Sequence, residues 1–434
     1  MRRVAMRLLS AAVLSALLIA PWSRPAAGQC RGDCNADGAV TVDELITGVS
    51  IALGTAALDQ CRAIDGNVDA SVTVDEIIAA VTTALDGCPD AAARVLAFSR
   101  AGQMASFDVS PPWTLRQRGD LGLPIGSVRC RADRCLAVHP STDSISILDA
   151  VALVAIDTIA LERGAEPADV AFVTGDRVVV SQANRAELLL LDLGTGERET
   201  IDLSPLADED GLPEASRMAS CGARVFVQLR RIDDETQLPA PAGAMLAVVD
   251  TGVVAGGRLV DTDPSTDGVQ GVALAGRPAF DMPVDCAGML LYVAEPAPLM
   301  QGGGSYEQVD LESFTASEFF DPGAEVGGFE VVAPNLFWTI THTEFGPGPS
   351  SHLNLTGGEV TDTHNTFAEE HVNDLAYAAD ADLLFYPDPC RPGPANQGCD
   401  TGVHVFDASS GARVRPDAID VGFEPIELAI ASGA

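Results

Sequence analysis

Most of the chain, from Ala93 onwards, consists of short apolar runs rich in β-branched residues, separated by Gly, Pro, Asp and Asn. Runs of this length with these boundaries predict β-strands joined by tight turns. One feature recurs along them: an apolar strand ends in an acidic residue or an asparagine just before a turn. The spacing of about 40–60 residues is that of a repeat with about four strands. These strand ends are Asp108, Asp149, Asp192, Asp250, Asp310, Asn354 and Asp407.

A representative repeat is "PADVAFVTGDRVVVSQANRAELLLLDLGTGERETIDL". It divides into an inner strand, a tight turn, a second strand, a loop, a third strand that ends at Asp192, and an outer strand. Its second and third strands are wholly apolar, which indicates a sheet that is buried on both faces, as in stacked propeller blades. We therefore predict a mainly β fold, a seven-bladed β-propeller over residues 93–434.

The two ends of this region are complementary. The strand "RVLAFS" follows Ala93 directly, with no inner strand before it, and a spare strand "EPIELAIA" lies at Glu424 to Ala431. Pairing these two strands would complete one blade from both ends and leave the ring without an open edge.

The repeat, in which the acid is followed by a turn bearing Gly or Thr, resembles the seven-bladed propellers of the YVTN or YncE-like kind over about Ala93 to Ala434. This resemblance implies a fold rather than a reaction. We interpret the recurring acids as turn caps, because Asp and Asn side chains accept hydrogen bonds from the backbone that follows them.

A different pattern occupies residues 29–89, where "DCNADGAVTVDE" and "DGNVDASVTVDE" place oxygen-bearing residues at alternate positions. Positions 1, 3, 5, 7, 9 and 12 of such a loop surround one calcium ion with six to eight oxygens. The candidate Ca²⁺ ligands are Asp33, Asn35, Asp37, Ala39, Thr41 and Glu44 in the first loop, and Asp65, Asn67, Asp69, Ser71, Thr73 and Glu76 in the second. We expect the second site to be weaker, because Ala70 replaces Gly38 at the sharp turn, at a cost of about 1 kcal/mol.

Each loop is followed by apolar residues at helical spacing, which predicts two short helices that pack together. The predicted stripes are Leu45, Val49, Ala52 and Leu53, and then Ile77, Val81, Ala84 and Leu85.

The duplicated unit resembles the dockerin type of paired EF-hand-like calcium module over roughly Asp33 to Cys88. The resemblance implies a calcium-dependent fold and a cohesin-like partner. Glutamate closes both loops where the family more often has aspartate, and Val42–Asp43 and Val74–Asp75 stand where cohesin-binding dockerins often carry a hydroxyl pair. Two readings therefore stay open: calcium only holds the module together, or the module also docks to a partner.

The first 28 residues have the pattern of a secretory signal, with Arg2, Arg3 and Arg7 before an apolar run and small residues before Gly28. This predicts a secreted or periplasmic protein with no membrane association after signal removal. All ten cysteines follow Gly28, so we expect disulfides. Cys30, Cys34, Cys61 and Cys88 allow three pairings, and the expected remaining pairs are Cys130–Cys135, Cys221–Cys286 and Cys390–Cys399.

Composition narrows the function further. The net charge of −36 excludes nucleic acid as a natural partner. The chain contains no lysine, which excludes Schiff-base and P-loop lysine chemistry, and it has no GxGxxG, HExxH, CxxCH or GxSxG motif.

The loops between second and third strands lengthen in four later blades, which indicates a binding face for a protein or glycan partner. These loops are Arg230–Ala242, Glu295–Ser305, Glu344–Ser351 and Cys390–Thr401. A transition-metal site is a further possibility in the region that holds His342, His352, His364 and His371 with Glu344, Glu369 and Glu370.

Three functions follow from these features. The first is an exported calcium-binding protein whose propeller is a non-enzymatic binding scaffold. The second is a propeller enzyme of the lactonase, lyase or hydrolase type, for which we find no convergent acid, base or metal groups in the sequence. The third is a propeller that its dockerin-like module tethers to a surface or polysaccharide-degrading assembly.

Overall fold

The computed structural model describes residues 32–34, 40–65, 71–86 and 93–431, with internal gaps at 233–242, 253–257, 277–278, 297–302, 343–350, 357–359, 367–373 and 391–399. The chain divides into two compact units, one within residues 1–90 and one within 91–434. No helix in the described part of the chain is long and apolar enough to span a bilayer. The predicted signal segment lies outside the described residues.

The first unit contains the two predicted helices, α1 (Val42–Ala52) and α2 (Val74–Asp86), with 3-10 turns at Leu58–Gln60 and Arg62–Ile64 between them. The helices pack together over a small core in which Cys61, Ile64 and Ala80 are buried. The bond Cys34–Cys61 selects one of the three pairings left open by the sequence. Cys30 and Cys88 lie outside the described residues.

The predicted packing face of the helices is only partly correct, because Leu45 and Ile77 pack against the core but other members of the predicted stripes do not. Val49, Leu53 and Val81 are exposed, and the buried positions are instead Glu44 and Gly48 on α1 and Glu76 and Ala80 on α2. An ideal Cβ added to Gly48 would lie 1.9 Å from Cδ1 of Ile64, so this face of α1 packs directly on the core. Both segments are helical, as the spacing of apolar residues predicts. The predicted stripe is not the fully buried one because each helix carries apolar residues on more than one face.

The second unit is a seven-bladed propeller, which confirms the predicted fold class. Its described strands form seven antiparallel sheets, numbered here as blades 1 to 7 in chain order. Blade 1 begins with β1 (Arg94–Phe98), β2 (Gln103–Asp108) and β3 (Leu115–Asp120). Blade 2 comprises β4 (Ser127–Arg131), β5 (Arg134–His139), β6 (Ser144–Asp149) and β7 (Val154–Ala160). Blade 3 comprises β8 (Pro167–Phe172), β9 (Arg177–Gln182), β10 (Glu187–Asp192) and β11 (Arg198–Asp202).

The later blades are less regular. Blade 4 comprises β12 (Ala215–Cys221), β13 (Arg224–Leu229), β14 (Met245–Asp250) and β15 (Arg258–Val260), and a short β16 (Val272–Ala273) also pairs with β14. Blade 5 comprises β17 (Val284–Asp285), β18 (Leu290–Pro296), β19 (Gly304–Asp310) and β20 (Thr315–Phe320). Blade 6 comprises β21 (Glu325–Ala333), β22 (Leu336–His342), β23 (Ser351–Thr356) and β24 (Val360–Thr366). Blade 7 has three described strands, β25 (Ala376–Ala378), β26 (Leu383–Asp388) and β27 (Gly402–Asp407).

The last strand, β28 (Glu427–Ala431), returns to blade 1 and pairs antiparallel with β1, with Arg94 opposite Ala431. This confirms the predicted closure by both ends of the region. Apolar clusters fill the spaces between all neighbouring pairs of blades, including blades 7 and 1, where Phe107 of β2 meets Phe385 of β26. The ring is therefore held by seven similar apolar interfaces and one shared sheet.

The structure also confirms the predicted disulfides that its described residues can test. Cys130–Cys135 links β4 to β5 within blade 2, and Cys221–Cys286 links blade 4 to blade 5. Cys390 is disulfide-bonded, and its predicted partner, Cys399, lies outside the described residues.

Five of the seven repeated strand-end residues cap the following turn, as predicted. Asp192 Oδ1, for example, accepts hydrogen bonds from the backbone N–H groups of Gly194 (3.0 Å) and Thr195 (2.8 Å). The same arrangement holds at Asp149, Asp250, Asp310 and Asp407. Two members differ: Asp108 pairs with Arg116, and the side chain of Asn354 donates to Thr341.

Candidate functional site

The structure describes seven of the twelve candidate calcium ligands. In the first loop these are Asp33, Thr41 and Glu44, and in the second Asp65, Ser71, Thr73 and Glu76. The other five candidates, Asn35, Asp37, Ala39, Asn67 and Asp69, lie outside the described residues.

The last position of each loop has the same local geometry. Glu44 Oε2 accepts hydrogen bonds from the backbone N–H (2.7 Å) and the hydroxyl (2.9 Å) of Thr41, and its Oε1 accepts one from the N–H of Cys34 (2.8 Å). Glu76 Oε2 likewise accepts from the N–H (2.8 Å) and the hydroxyl (3.0 Å) of Thr73. The threonine before each helix thus orients the glutamate that opens its first turn, as in a capping box.

Burial is concentrated at the first and last positions of both loops. Asp33, Glu44, Asp65 and Glu76 are buried, and they are the buried polar side chains among the described residues of the first unit. The rest of the core there is small. Two pairs of buried carboxylates, 32 residues apart in sequence, therefore occupy equivalent places in a duplicated unit.

The face predicted to bind a partner is largely outside the described residues, since 233–242, 297–302, 343–350 and 391–399 cover most of its long loops. The same applies to the predicted histidine region. His342 is buried at the end of β22. His352 and His364 are described by their backbone only, and Glu344, Glu369, Glu370 and His371 lie outside the described residues.

The propeller brings together a set of charged side chains that the sequence reasoning missed. Each of the seven blades contributes a charged residue to the central channel, either on its innermost strand or within three residues before it. In blade order these residues are Glu427, Arg129, Asp169, Arg217, Asp281, Glu330 and Asp374. We call this set the channel ring. It corrects the expectation that no convergent acid or base groups exist.

Some carboxylates of the channel ring join neighbouring blades through the backbone. Glu427 of blade 1 accepts a hydrogen bond from the N–H of Val128 in blade 2 (3.0 Å), and Asp169 of blade 3 accepts one from Met218 in blade 4 (2.9 Å). Asp374 of blade 7 accepts one from Leu428 in blade 1. Each of these acids therefore satisfies a donor of the next inner strand.

The two arginines cross the channel. Arg129 binds Asp281 through two parallel hydrogen bonds (2.6 and 2.7 Å) and also contacts Asp169 (2.7 Å). Arg217 lies 3.5 Å from Asp281 and 3.9 Å from Glu427. Because blade 2 and blade 5 are not neighbours in the ring, the Arg129–Asp281 pair must span the axis. Planar bidentate pairing of this kind is the strong form of an ion pair.

The carboxylates of the channel ring are held in different protonation environments. Burial acts to raise the pKa of Asp281, but Arg129 and Arg217 outweigh it and hold that pKa well below its usual range. Burial raises the pKa of Glu427 to about 7, and burial with the nearby charge of Asp281 raises the pKa of Glu330 to about 8. Burial, and then Glu427, raise the pKa of Asp374 well above its usual range. The channel thus holds one firmly ionised acid beside acids that exchange protons near neutral pH.

A cavity of about 430 Å³ opens from this ring toward the carboxyl ends of the inner strands. Asp281, Glu330 and Asp374 line it together with Arg129, and apolar side chains such as Phe329 complete the wall. The volume is in the range of sites for small organic ligands.

A sequence signal for the channel ring exists. In each inner segment the charged residue is followed by an apolar residue or cysteine, as in "DVAF" at Asp169, "EVVA" at Glu330 and "ELAI" at Glu427. The residues are not all at one register, however: Asp169 and Glu427 lie opposite the fifth residue of the second strand, and Arg129 and Glu330 lie opposite the third.

The fold and the channel ring define a seven-bladed propeller with a charged central channel. No family model and no curated protein matches the chain. A functionally unknown protein from Desulfotomaculum acetoxidans DSM 771 is similar in structure, with 12% identity and a TM-score of 0.54 over 79% of this chain and 99% of that one. AztD from Citrobacter koseri has 12% identity and a TM-score of 0.49 over 79% of this chain and 98% of its own. This likeness shows the propeller fold alone, so the resemblances to dockerins and to YVTN propellers stay predictions.

Proposed function

We propose that this protein is an exported calcium-binding protein, in which a dockerin-type paired-loop module precedes a propeller that acts as a non-enzymatic binding scaffold. The observation that supports this most directly is the burial of Asp33, Glu44, Asp65 and Glu76, the first and last positions of both predicted loops.

Burying carboxylates costs free energy unless a counter-charge accompanies them. The first unit buries four of them at equivalent loop positions beside a small apolar core, and carboxylate oxygens so placed are suited to a divalent cation that would add cohesion to each loop. Asp33 and Glu44 would hold the ion of the first loop with Asn35, Asp37, Ala39 and Thr41. Asp65 and Glu76 would hold that of the second with Asn67, Asp69, Ser71 and Thr73.

Calorimetric titration of residues 29–434 with calcium, disulfides intact, tests this function. We expect two sites of unequal affinity, loss of the tighter one in Glu44→Gln and loss of the weaker one in Glu76→Gln. Glu318→Gln on the exposed outer strand β20 makes the same change of charge and should keep both sites. Two unchanged sites in Glu44→Gln and Glu76→Gln, or no heat at millimolar calcium, would contradict the proposal.

A second candidate function, tethering through the first unit, is favoured by an exposed apolar face. Val42 (70% exposed), Ile46, Val49 and Leu53 (74%) follow one face of α1, and Val74, Ile78 and Val81 take the equivalent places on α2. Exposed apolar stripes repeated on two helices are typical of a docking surface.

The tethering function is tested with immobilised full-length protein and a native secretome. We expect a partner to be retained by the wild type and lost in Ile46→Asp/Ile78→Asp, with calcium binding unchanged. Val154→Asp, on the exposed outer strand β7, is the matched control. If Ile46→Asp/Ile78→Asp and Val154→Asp retained the partner equally, the apolar face of the two helices would not be the docking surface. The enzyme alternative of the lactonase, lyase or hydrolase type stays a prediction.

A further inference from the structure

The channel ring contains more carboxylates than its arginines neutralise. Asp169, Asp281 and Glu427 share the guanidinium groups of Arg129 and Arg217. The two remaining acids, Glu330 of blade 6 and Asp374 of blade 7, are neighbours in the ring and form no salt bridge with a described residue. Carboxyl groups without an arginine partner among the described residues therefore lie together on the side of blades 6 and 7, and their raised pKa values mean that they hold protons near neutral pH.

Asp374 is held with one oxygen directed away from its hydrogen-bond donor. Its side chain is only 9% exposed, and Oδ2 accepts the N–H of Leu428. That is the hydrogen bond it makes with described residues, so Oδ1 has no hydrogen-bond partner there although Asp374 lines the cavity. Oδ1 is therefore available to a hydrogen-bond donor of a molecule in the cavity.

The cavity beside these two acids has an apolar wall. Met218, Met282, Phe329 and Leu375 line it together with Phe172. The cavity is partly open and is also lined by Arg129, which is paired with Asp169 and Asp281, and by Arg131, which donates to the carbonyls of Val173 and Gly175. Acids that these arginines do not pair with, beside an apolar wall, fit a molecule that has both a cationic group and a hydrocarbon portion.

A metal ion is a poorer match to this site. Among the described side chains, one group of three potential metal ligands is close enough to share an ion. It consists of Asp208, Asp210 and Glu214 on the loop between blades 3 and 4. The acids of the channel ring do not meet that condition. The cavity of about 430 Å³ is also far larger than one ion requires.

We propose that the channel cavity binds a small organic cation, with its ammonium group between Glu330 and Asp374 and its hydrocarbon portion against Met282, Phe329 and Leu375. This inference rests on the proposed role of the propeller as a binding scaffold, but it does not depend on calcium.

Ammonium N–H groups would supply the donors that the free carboxylate oxygens require, and each methylene buried on the wall adds a hydrophobic contribution. Binding would also displace protons. Glu330 faces Asp281, and Asp374 faces Glu427, Asp281 and Arg129, so a bound cation would take the place of the protons that Glu330 and Asp374 otherwise hold.

The experiment is a calorimetric titration of residues 29–434 in excess chelator, with n-pentylammonium as probe and n-pentanol and n-pentanoate as uncharged and anionic isosteres. We expect one site for n-pentylammonium, no binding of the isosteres, and affinity that rises several-fold per methylene from ethylammonium upwards. The heat should depend on the ionisation enthalpy of the buffer, because protons are released.

Glu330→Gln and Asp374→Asn should each weaken n-pentylammonium at least tenfold, and Glu318→Gln should not. If either channel variant fails to fold, acidification of the wild type provides the second test, because protonation of both acids must abolish binding. The proposal is overturned by equal binding of n-pentanol, by affinity that is independent of both acids and of pH, or by absence of binding at millimolar n-pentylammonium. Because chelator is present throughout, a negative result here leaves the calcium titration unaffected, and the reverse also holds.

Discussion

At the scale of single residues, a few buried acids of the propeller have strongly shifted pKa values. The repeated aspartates at strand ends are ordinary turn caps, and hydrogen bonds from the turn that follows lower the pKa of Asp192, Asp310 and Asp407. The acids of the channel ring and Glu295 of β18 are different, because they are removed from bulk water and depend on their neighbours for charge compensation.

Arg129 should be the residue whose loss most destabilises the propeller. In Arg129→Met, Asp281 and Asp169 lose their closest counter-charge while they remain in the channel. Removing one partner of a buried pair typically costs about 3–5 kcal/mol. Arg134→Met breaks the exposed pair with Asp176 and should cost about 1 kcal/mol or less. Chemical denaturation of both variants measures the difference, and equal costs would show that the channel pair is not structural.

Glu295 should make the stability of the wild type fall as pH rises. Glu295 is only 2% exposed, and burial together with the neighbouring carboxyl group of Glu307 raises its pKa from 4.5 to about 9. The unfolded chain releases this proton first, so the stability contribution is complete below pH 4.5 and is lost progressively up to about pH 9.

Glu295→Gln does not titrate at this position, so its free energy of unfolding should fall less steeply than that of the wild type over this interval. The difference amounts to about 1.4 kcal/mol for each pKa unit. Urea unfolding at a series of pH values gives the two curves, and Glu318→Gln should follow the wild type. Parallel curves for Glu295→Gln and the wild type would contradict the assignment.

At the scale of elements, the helices of the first unit show how a helical period can predict the buried face only in part, since Leu45 and Ile77 pack against the core and Val49 and Val81 are exposed. Both helices begin with a threonine and a glutamate that interact, and both bury the stripe that starts at that glutamate. The apolar residues on the other face stay exposed. Which helix face is buried is decided by the contacts around Ile64 and by the Cys34–Cys61 bond. The spacing of apolar residues along each helix carries no information about these contacts.

Gly48 should be coupled to Ile64. At an exposed helical position Gly→Ala is favourable by about 1 kcal/mol, but the new Cβ here would meet Cδ1 of Ile64. We expect Gly48→Ala to cost about 1–3 kcal/mol through overpacking. Ile64→Val removes Cδ1, so the double variant should be more stable than the sum of the single changes by about 1 kcal/mol.

The measurement for this pair is denaturation followed by the helical circular dichroism signal, because the described helices longer than one turn belong to the first unit. Strict additivity of the two changes would show that Gly48 and Ile64 do not press on each other.

At the scale of the whole molecule, the propeller depends on closure. The strand β28 completes the sheet of blade 1 and carries Glu427 of the channel ring, so it joins the last part of the chain to the first in two ways. Without it, β1 would present an unpaired edge.

A chain that ends at residue 423 should therefore lose cooperative unfolding and associate through β1. A chain that ends at residue 431 retains β28 and is the matched control. Thermal unfolding and size-exclusion chromatography of both distinguish the outcomes. A monomeric, cooperatively unfolding chain without β28 would show that closure is not required.

The sequence alone determined the features that are local or periodic. Seven strand ends at regular intervals predicted seven blades, the unmatched first and last strands predicted closure, and cysteine proximity predicted Cys130–Cys135. The threonine and glutamate of each loop were also recognised from spacing alone. Such features depend either on residues that are close together in the chain or on a structural unit that recurs along the chain, so that one pattern is seen several times.

Tertiary structure alone decided the channel ring and the buried helix faces. Arg129 and Asp281 are 152 residues apart, and they meet because seven inner strands converge on one axis. Each ring residue taken singly is one charged side chain in a strand, which is uninformative by itself. Their pairing and their pKa values arise only when the closed ring excludes water and places charges from non-neighbouring blades within hydrogen-bond distance.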